Sequence, residues 1–176
     1  MKTIPLTRGY VAIVDEDDHD RIAQHKWTAI VTGKYIKRVY AYRRTGWDNA
    51  NRRWENTVWM HREISAPPIE MDVDHVNYDT LDNRKENLRH ATRSENLAHN
   101  RRRIGQCGYR GVTRTASGEK APYKTQFRGK CIGKFFDVIE AARAYDAAAA
   151  QAFGKFACLN FPDQIPESPG VVGPQT

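Results

Sequence analysis

This chain of 176 residues has no apolar run approaching the roughly eighteen residues a membrane helix needs, and no apolar stretch near its start that reads as an export signal. The sequence therefore predicts a soluble, intracellular protein without a membrane partner, and the cytoplasm as its compartment. Cysteine is scarce as well: Cys107, Cys131 and Cys158 are scattered and odd in number, so they offer neither a disulfide framework nor paired zinc ligands. Aromatic residues make up 10% and apolar residues 40% of the chain, which predicts modest cores in one medium domain or two small ones. Negative charge is also in deficit, with 21 acidic against 28 basic side chains and a net charge of +7. By segment the net charge is +4 over residues 1–66, zero over 67–103, +5 over 104–162 and −2 over 163–176. Two basic flanks around a neutral centre point to a polyanion held from both sides.

The neutral centre carries the chemistry. Residues 71–100 read MDVDHVNYDTLDNRKENLRHATRSENLAHN, placing an acid, an imidazole and two carboxamides in one short stretch: Asp74, His75, Asn87 and Asn96. Phosphodiester hydrolysis needs a base for water, a divalent cation to absorb charge, and something to hold the base. An imidazole titrates near neutral pH, and an aspartate is a hard oxygen ligand. Met71 to Val76 alternates apolar and polar side chains, which predicts a strand with Asp72 and Asp74 on the side opposite Val73 and His75. The turn formers of residues 77–83 end that strand at His75. Asn87-Leu88-Arg89 reads as a return strand, and Thr92-Arg93-Ser94-Glu95 as a capping box that starts a helix. Asn96 then falls in the first helical turn, with Asn100 on the same face and His99 close by. Taken singly these residues would be a surface pair, a turn residue and an exposed helix residue; together they favour catalysis.

Asp74-His75, Asn87 and Asn96, with Leu81-Asp82-Asn83-Arg84 and Asn87-Leu88-Arg89 between them, resemble the HNH endonuclease motif of phage-encoded homing endonucleases. The resemblance implies a ββα-metal motif in which Asp74 and Asn96 bind one divalent cation, His75 activates water and Asn87 orients His75 across the loop. His99 and Asn100 become additional active-site candidates, His99 as a phosphate contact. Many members have histidine where this chain has Asn96, so oxygen-bound Mg²⁺ or Mn²⁺ is expected and zinc is not. The partner implied is double-stranded DNA, in the host cytoplasm if the chain is phage-encoded, cut by a monomer or a dimer.

Composition changes at Tyr109. Residues 109–114, 123–128 and 131–136 read as three strands joined by tight turns at Ser117-Gly118 and Gly129-Lys130. From Val138 to Phe153, Ala141, Ala142, Tyr145, Ala148, Ala149, Ala152 and Phe153 recur at helical spacing, and Gly154 is placed to stop the helix. Simple alternation puts Lys124, Gln126 and Arg128 on one strand face, opposite Tyr123, Thr125 and Phe127. Tyr109-Arg110-Gly111-Val112, Ile132-Gly133-Lys134-Phe135, Glu140-Ala141-Ala142-Arg143-Ala144-Tyr145-Asp146 and Leu159-Asn160-Phe161-Pro162 resemble the plant APETALA or ethylene-response-factor DNA-binding domain. That resemblance implies a sheet in the major groove, with Arg110, Gln126 and Arg128, and less strongly Thr113, touching DNA. Cys131, Thr113, Thr115 and Gln126 depart from the plant pattern, so the plant target sequence does not transfer.

The fold expected is α+β: an N-terminal β-rich region (1–66), the HNH segment (67–103), an APETALA-like DNA-binding domain (104–162) and a disordered tail (163–176). In the first region residues 4–14 read as a strand followed by an acidic turn, and 19–26 as a short helix. Residues 34–44 read as a strand interleaving aromatic and basic side chains, 46–51 as a loop, and 54–60 as another strand whose aromatics pack inward. Met60-His61-Arg62, like Leu6, Val14-Asp15 and Lys26-Trp27, matches segments that precede the motif in the phage family. Arg38, Arg43 and Arg44 are expected to reach phosphate, and Arg101, Arg102 and Arg103 to form a basic DNA-binding tether. The preferred function is a metal-dependent homing endonuclease that nicks as a monomer. The alternatives are a non-catalytic DNA-binding regulator with a relic HNH segment, and a nonspecific or RNA-directed nuclease.

Overall fold

The computed structural model of the chain describes residues 1–34, 36–99, 104–116 and 120–162. Asn100, Arg101, Arg102, Arg103, the Ser117-Gly118 turn and the tail from residue 163 lie outside these residues. The fold is α+β and divides into two compact units, Met1–Asn96 and Leu97–Thr176.

In the first unit, β1 (Lys2–Pro5) and β2 (Val11–Val14) form an antiparallel hairpin where the sequence predicts one strand. The chain folds back through Thr7–Gly9, where Arg8 and Gly9 adopt left-handed backbone (φ 62° and 75°), and alternation alone cannot register such a turn. The acidic run expected as a turn instead opens α1 (Glu16–Ala23): Glu16, Asp17 and Asp18 occupy its first turn, where carboxylates meet the positive end of the helix dipole. Strands β3 (Thr28–Thr32), β4 (Arg38–Asp48) and β5 (Arg53–Trp59) form an antiparallel sheet in that order. Gly46, expected in a loop, lies within β4, and Met60, where the expected strand leads into a helix start, begins α2 (Met60–Ser65). Strands β6 (Asp72–His75) and β7 (Leu88–Ala91) pair antiparallel, and α3 (Arg93–Ala98) follows.

Ile4, Val14, Ile22, Trp27, Met60 and Ile64 form the core of this unit, and Leu81 and Leu88 pack against it. Each fully buried aliphatic side chain contributes about 1.5–3 kcal/mol. The loop between β6 and β7 and the start of β7 thus share one core with the N-terminal strands. That shared core fixes where the loop sits.

In the second unit, β8 (Val112–Arg114), β9 (Tyr123–Phe127) and β10 (Lys130–Phe135) form an antiparallel sheet with β9 in the middle, packed on α4 (Val138–Phe153). Val112, Ala141 and Ala142 are fully buried between them, and the small alanines let the helix approach closely. Asp137 caps α4 by accepting hydrogen bonds from the Ile139 and Glu140 amides, and Gly154 ends it at positive φ. Gly111 cannot be replaced: its φ is 73°, and a Cβ there would come within 2.1 Å of the Tyr145 ring. No helix among the described residues is long and apolar enough to cross a membrane.

Candidate active site

Register builds the site. In the β6–β7 hairpin Asp74 lies opposite Arg89 and His75 opposite Leu88, and β6 ends at His75 as the turn-forming residues behind it require. The connecting loop is held by Asn87, whose Oδ1 accepts from the Asn77 amide at 2.9 Å and whose Nδ2 donates to the Asp82 carbonyl at 2.7 Å. Its own carbonyl accepts from the Val76 amide. These bonds of Asn87 all go to the loop that follows His75. A bidentate Arg84–Asp82 pair tightens the same loop, and Thr80 Oγ1 donates to the Val39 carbonyl. Ile13 stitches it to β2: its amide donates to the Leu81 carbonyl and its carbonyl accepts from Asn83.

His75 is 6% exposed. Its ring lies 5.4 Å from His61 and 6.2 Å from Tyr40, centroid to centroid. Burial pushes its pKa down, against the Asn83 side chain and the Asp74, Asp79 and Asp82 carboxylates, which all favour the protonated form. The ring is accordingly neutral near pH 7, the state a general base needs. Asn83 stands beside the ring, yet His75 Nε2 and Asn83 Oδ1 are both buried with no aligned hydrogen-bond partner among the described residues. An imidazole nitrogen left in this state keeps an unused acceptor or donor. His61 is driven further, to about 3, by burial and by the neighbouring His75 and Arg62 charges.

The two oxygen donors each have a partner of opposite character. Asp74 Oδ2 accepts from Arg89 Nε at 2.8 Å, with Arg89 Nη2 at 2.7 Å. Asn96 is brought to Asp72 rather than to Asp74: its Nδ2 donates to Asp72 Oδ2 at 2.9 Å, and Arg93 reaches the same oxygen at 3.2 Å. These bonds hold the Asp72 carboxyl below its ordinary pKa, the Asn96 bond foremost. Asp72 shares a strand face with Asp74, about 7 Å along. A carboxylate partner forces the amide orientation, which leaves Asn96 Oδ1 as the acceptor atom turned away from Asp72. Asp72, Asn96, His61, Tyr40, Trp59 and Arg62 border a cleft of about 300 Å³. Asp74 and Asn96 are a hard, oxygen-only donor set that suits Mg²⁺ or Mn²⁺. No three His, Cys, Asp or Glu side chains among the described residues converge as a metal cluster.

The helix carrying Asn96 starts as the sequence predicts. The Thr92 amide donates to Glu95 Oε2 at 2.7 Å, and the Glu95 amide donates back to Thr92 Oγ1 at 3.3 Å. Residues 65–98 match the family model for HNH endonuclease. The match spans the whole ββα constellation and supports a DNA-cutting nuclease at the level of the family. No solved structure matches the chain. The HNH segment engages side chains that spacing alone did not mark: Asp72, Arg89, Asn83 and His61. Of these, Asn83, Arg89 and His61 lay in motifs singled out from the sequence, though without a role of their own.

His99 belongs to the second unit, where it is buried; Asn100 and Arg101, Arg102 and Arg103 lie outside the described residues. On the second unit's sheet the inward face is as alternation predicts. Thr125 donates to the Ala141 carbonyl, and Phe127 packs against Tyr145 and Phe153. Thr113, Lys124 and Lys134 align across the three strands, with Gln126 opposite Cys131. Two expectations change. Arg110 is only 9% exposed, and its side chain bonds to Tyr145 beneath the sheet. Arg128 has φ 50° in the β9–β10 turn, which breaks the strand alternation and lays its guanidinium over Phe153, 5.8 Å from the ring centre. Asn160 and Asp146 close the unit: Asn160 Oδ1 accepts from the Arg110 amide, and Asp146 accepts from the Asn160 and Phe161 amides.

Proposed function

We propose that this protein is a metal-dependent DNA endonuclease of homing type, nicking one strand per encounter as a monomer, with residues 67–103 as its catalytic segment. The observation that carries this reading is the ending of β6 at a neutral, buried His75 within the matched segment, beside a strand face that bears Asp74 and the Asp72–Asn96 pair. Asp74 and Asn96 would hold a divalent cation, which when bound neutralises charge developing on the scissile phosphate and the leaving oxygen. His75 takes a proton from water; the oxygen attacks phosphorus, and the P–O bond on the far side breaks, its oxygen gaining a proton from solvent. Asn87 and Asn83 hold the base, Asn87 by closing the loop and Asn83 at the ring. Arg89 and Asp72 orient the two metal ligands, a role outer-shell partners commonly serve.

Residues 104–162 serve as an APETALA-like DNA-binding domain, with Thr113, Lys124 and Gln126 on the outward sheet face and Arg101, Arg102 and Arg103 as a basic tether. Arg110 and Arg128 support that face from within. Residues 1–66 form the β-rich region that buttresses the catalytic loop. The second reading is a DNA-binding regulator with a relic nuclease segment; it draws on the Arg89–Asp74 ion pair, in which the metal-ligand carboxylate is already neutralised.

Supercoiled plasmid carrying the target should become open circular with Mg²⁺ and the intact protein. His75→Ala should stop conversion while leaving gel-shift affinity within about twofold of the parent. Equal nicking by His75→Ala would reject the mechanism. Chelator-insensitive binding with no nicking by the parent would establish the regulator.

A further inference from the structure

The end of the β4–β5 hairpin holds two indole rings that the fold leaves in water. Strand β3 pairs with β4 only as far as Tyr42, and beyond it β4 and β5 continue as a bare two-stranded ribbon from Arg43–Asp48 against Arg53–Val58. Residues 53–57 are all exposed. Near the tip Trp47 sits opposite Trp54, with ring centroids 5.1 Å apart and exposures of 48% and 45%. Elsewhere in this unit Trp27 is buried in the core and Trp59 packs against Tyr40 and Tyr42. The inward packing expected for the strand aromatics therefore stops at the ribbon.

The ribbon is rigid and basic. Asp48 Oδ1 accepts from the amides of Ala50 and Asn51 and its Oδ2 from the Asn51 side chain, which locks the turn. Residues 43–58 hold four basic side chains, Arg43, Arg44, Arg52 and Arg53, against Asp48 and Glu55. Lys26, Arg43 and Arg44 border with Trp54 a cleft of about 500 Å³ along the free edge of β4. Register places Thr45 and Asn56 on the same face as the two tryptophans. That face offers flat apolar rings and short hydrogen-bonding groups, while Arg44 and Arg53 rise from the opposite face. A two-stranded β-ribbon fits the major groove of duplex DNA, where short polar side chains read base edges and cations meet the phosphate walls. A purely apolar protein partner would have no use for the surrounding charge.

We propose that the β4–β5 ribbon is a separate duplex-DNA contact, with Trp47 and Trp54 against the bases at its tip and Arg44 and Arg53, from the opposite face, reaching round the ribbon edges to the flanking phosphates. This rests on the reading that DNA is the substrate. The test measures binding of the full chain to a labelled random-sequence duplex at about 50 and 200 mM salt. W47A/W54A should bind about tenfold more weakly at both concentrations, because ring contacts release no counterions. R44A/R53A should flatten the salt dependence by roughly two phosphates' worth. W47F/W54F should recover most of the lost affinity, which a merely unfolded hairpin would not. Binding by W47A/W54A within twofold of the parent, at an unchanged melting temperature, would overturn the inference while leaving the nuclease reading intact. A parent chain that binds no duplex at all would overturn both.

Discussion

At the scale of single residues, the proposed metal site would depend on Asp72, a carboxylate held by Asn96 and Arg93. Asp72 fixes the Asn96 amide through its Nδ2, so removing it should let the carboxamide flip and present a donor where an acceptor is needed. Asp72→Ala should raise the Mn²⁺ concentration for half-maximal nicking about tenfold while DNA affinity stays the same; a metal titration that overlays the parent would discard the assignment. The paired histidines make a second prediction. Both have folded pKa values below 6.5, His61 reaching about 3, so the unfolded chain binds more protons below that pH. Stability is therefore full above about pH 6.5 and falls as the solution is acidified towards 4, on the order of 1 kcal/mol per pH unit for His61, with His75 adding a loss of the same sign. The carboxylates held below 3.8, among them Asp72 and Asp82, add their own loss only below that range. Urea midpoints across pH 4–7 should show the slope, and His61→Phe should remove part of it. Asp72's role was illegible in the sequence because its partner lies 24 residues away, across a hairpin and a helix start. His75 and Asn96 were legible because a strand end and a capping box, both local devices, bracket them.

At the scale of elements, local chemistry that could be read was read correctly where the backbone stayed regular. The Thr92–Glu95 box starts α3 and the Val138-to-Phe153 periodicity gives α4. Left-handed residues undid two other readings. Arg8 with Gly9 split one expected strand into a hairpin, and Arg128 left the face that alternation assigned to it. Neither arginine signals a positive φ by its side chain. Thr92→Ala should cost about 1 kcal/mol by chemical denaturation and slow nicking, since α3 presents Asn96 from its first turns. Asn87→Ala should do more, because it strands the Asn77 amide and the Asp82 carbonyl inside the loop; a loss of about 2 kcal/mol or greater is expected. A variant as stable as the parent would mean that water replaces both bonds.

At the scale of the whole molecule, basic segments flank a neutral one along the chain, and binding to DNA should weaken steeply as salt rises. Lys124→Ala, on the outward sheet face, should lower the slope of log affinity against log salt by about one without altering single-turnover nicking at saturation. A slope identical to the parent's would remove the sheet from the interface. The stitching of Ile13 to Leu81 and Asn83, with the Lys85 amide and ammonium on Asp15 and Asp18, has a practical corollary for anyone recombining such enzymes. A cassette cut at residues 65–98 would carry the reacting groups but abandon the strand and helix against which their loop was cast. Transplanted into a foreign host it would arrive without its mould, and the smallest portable unit begins back at β1.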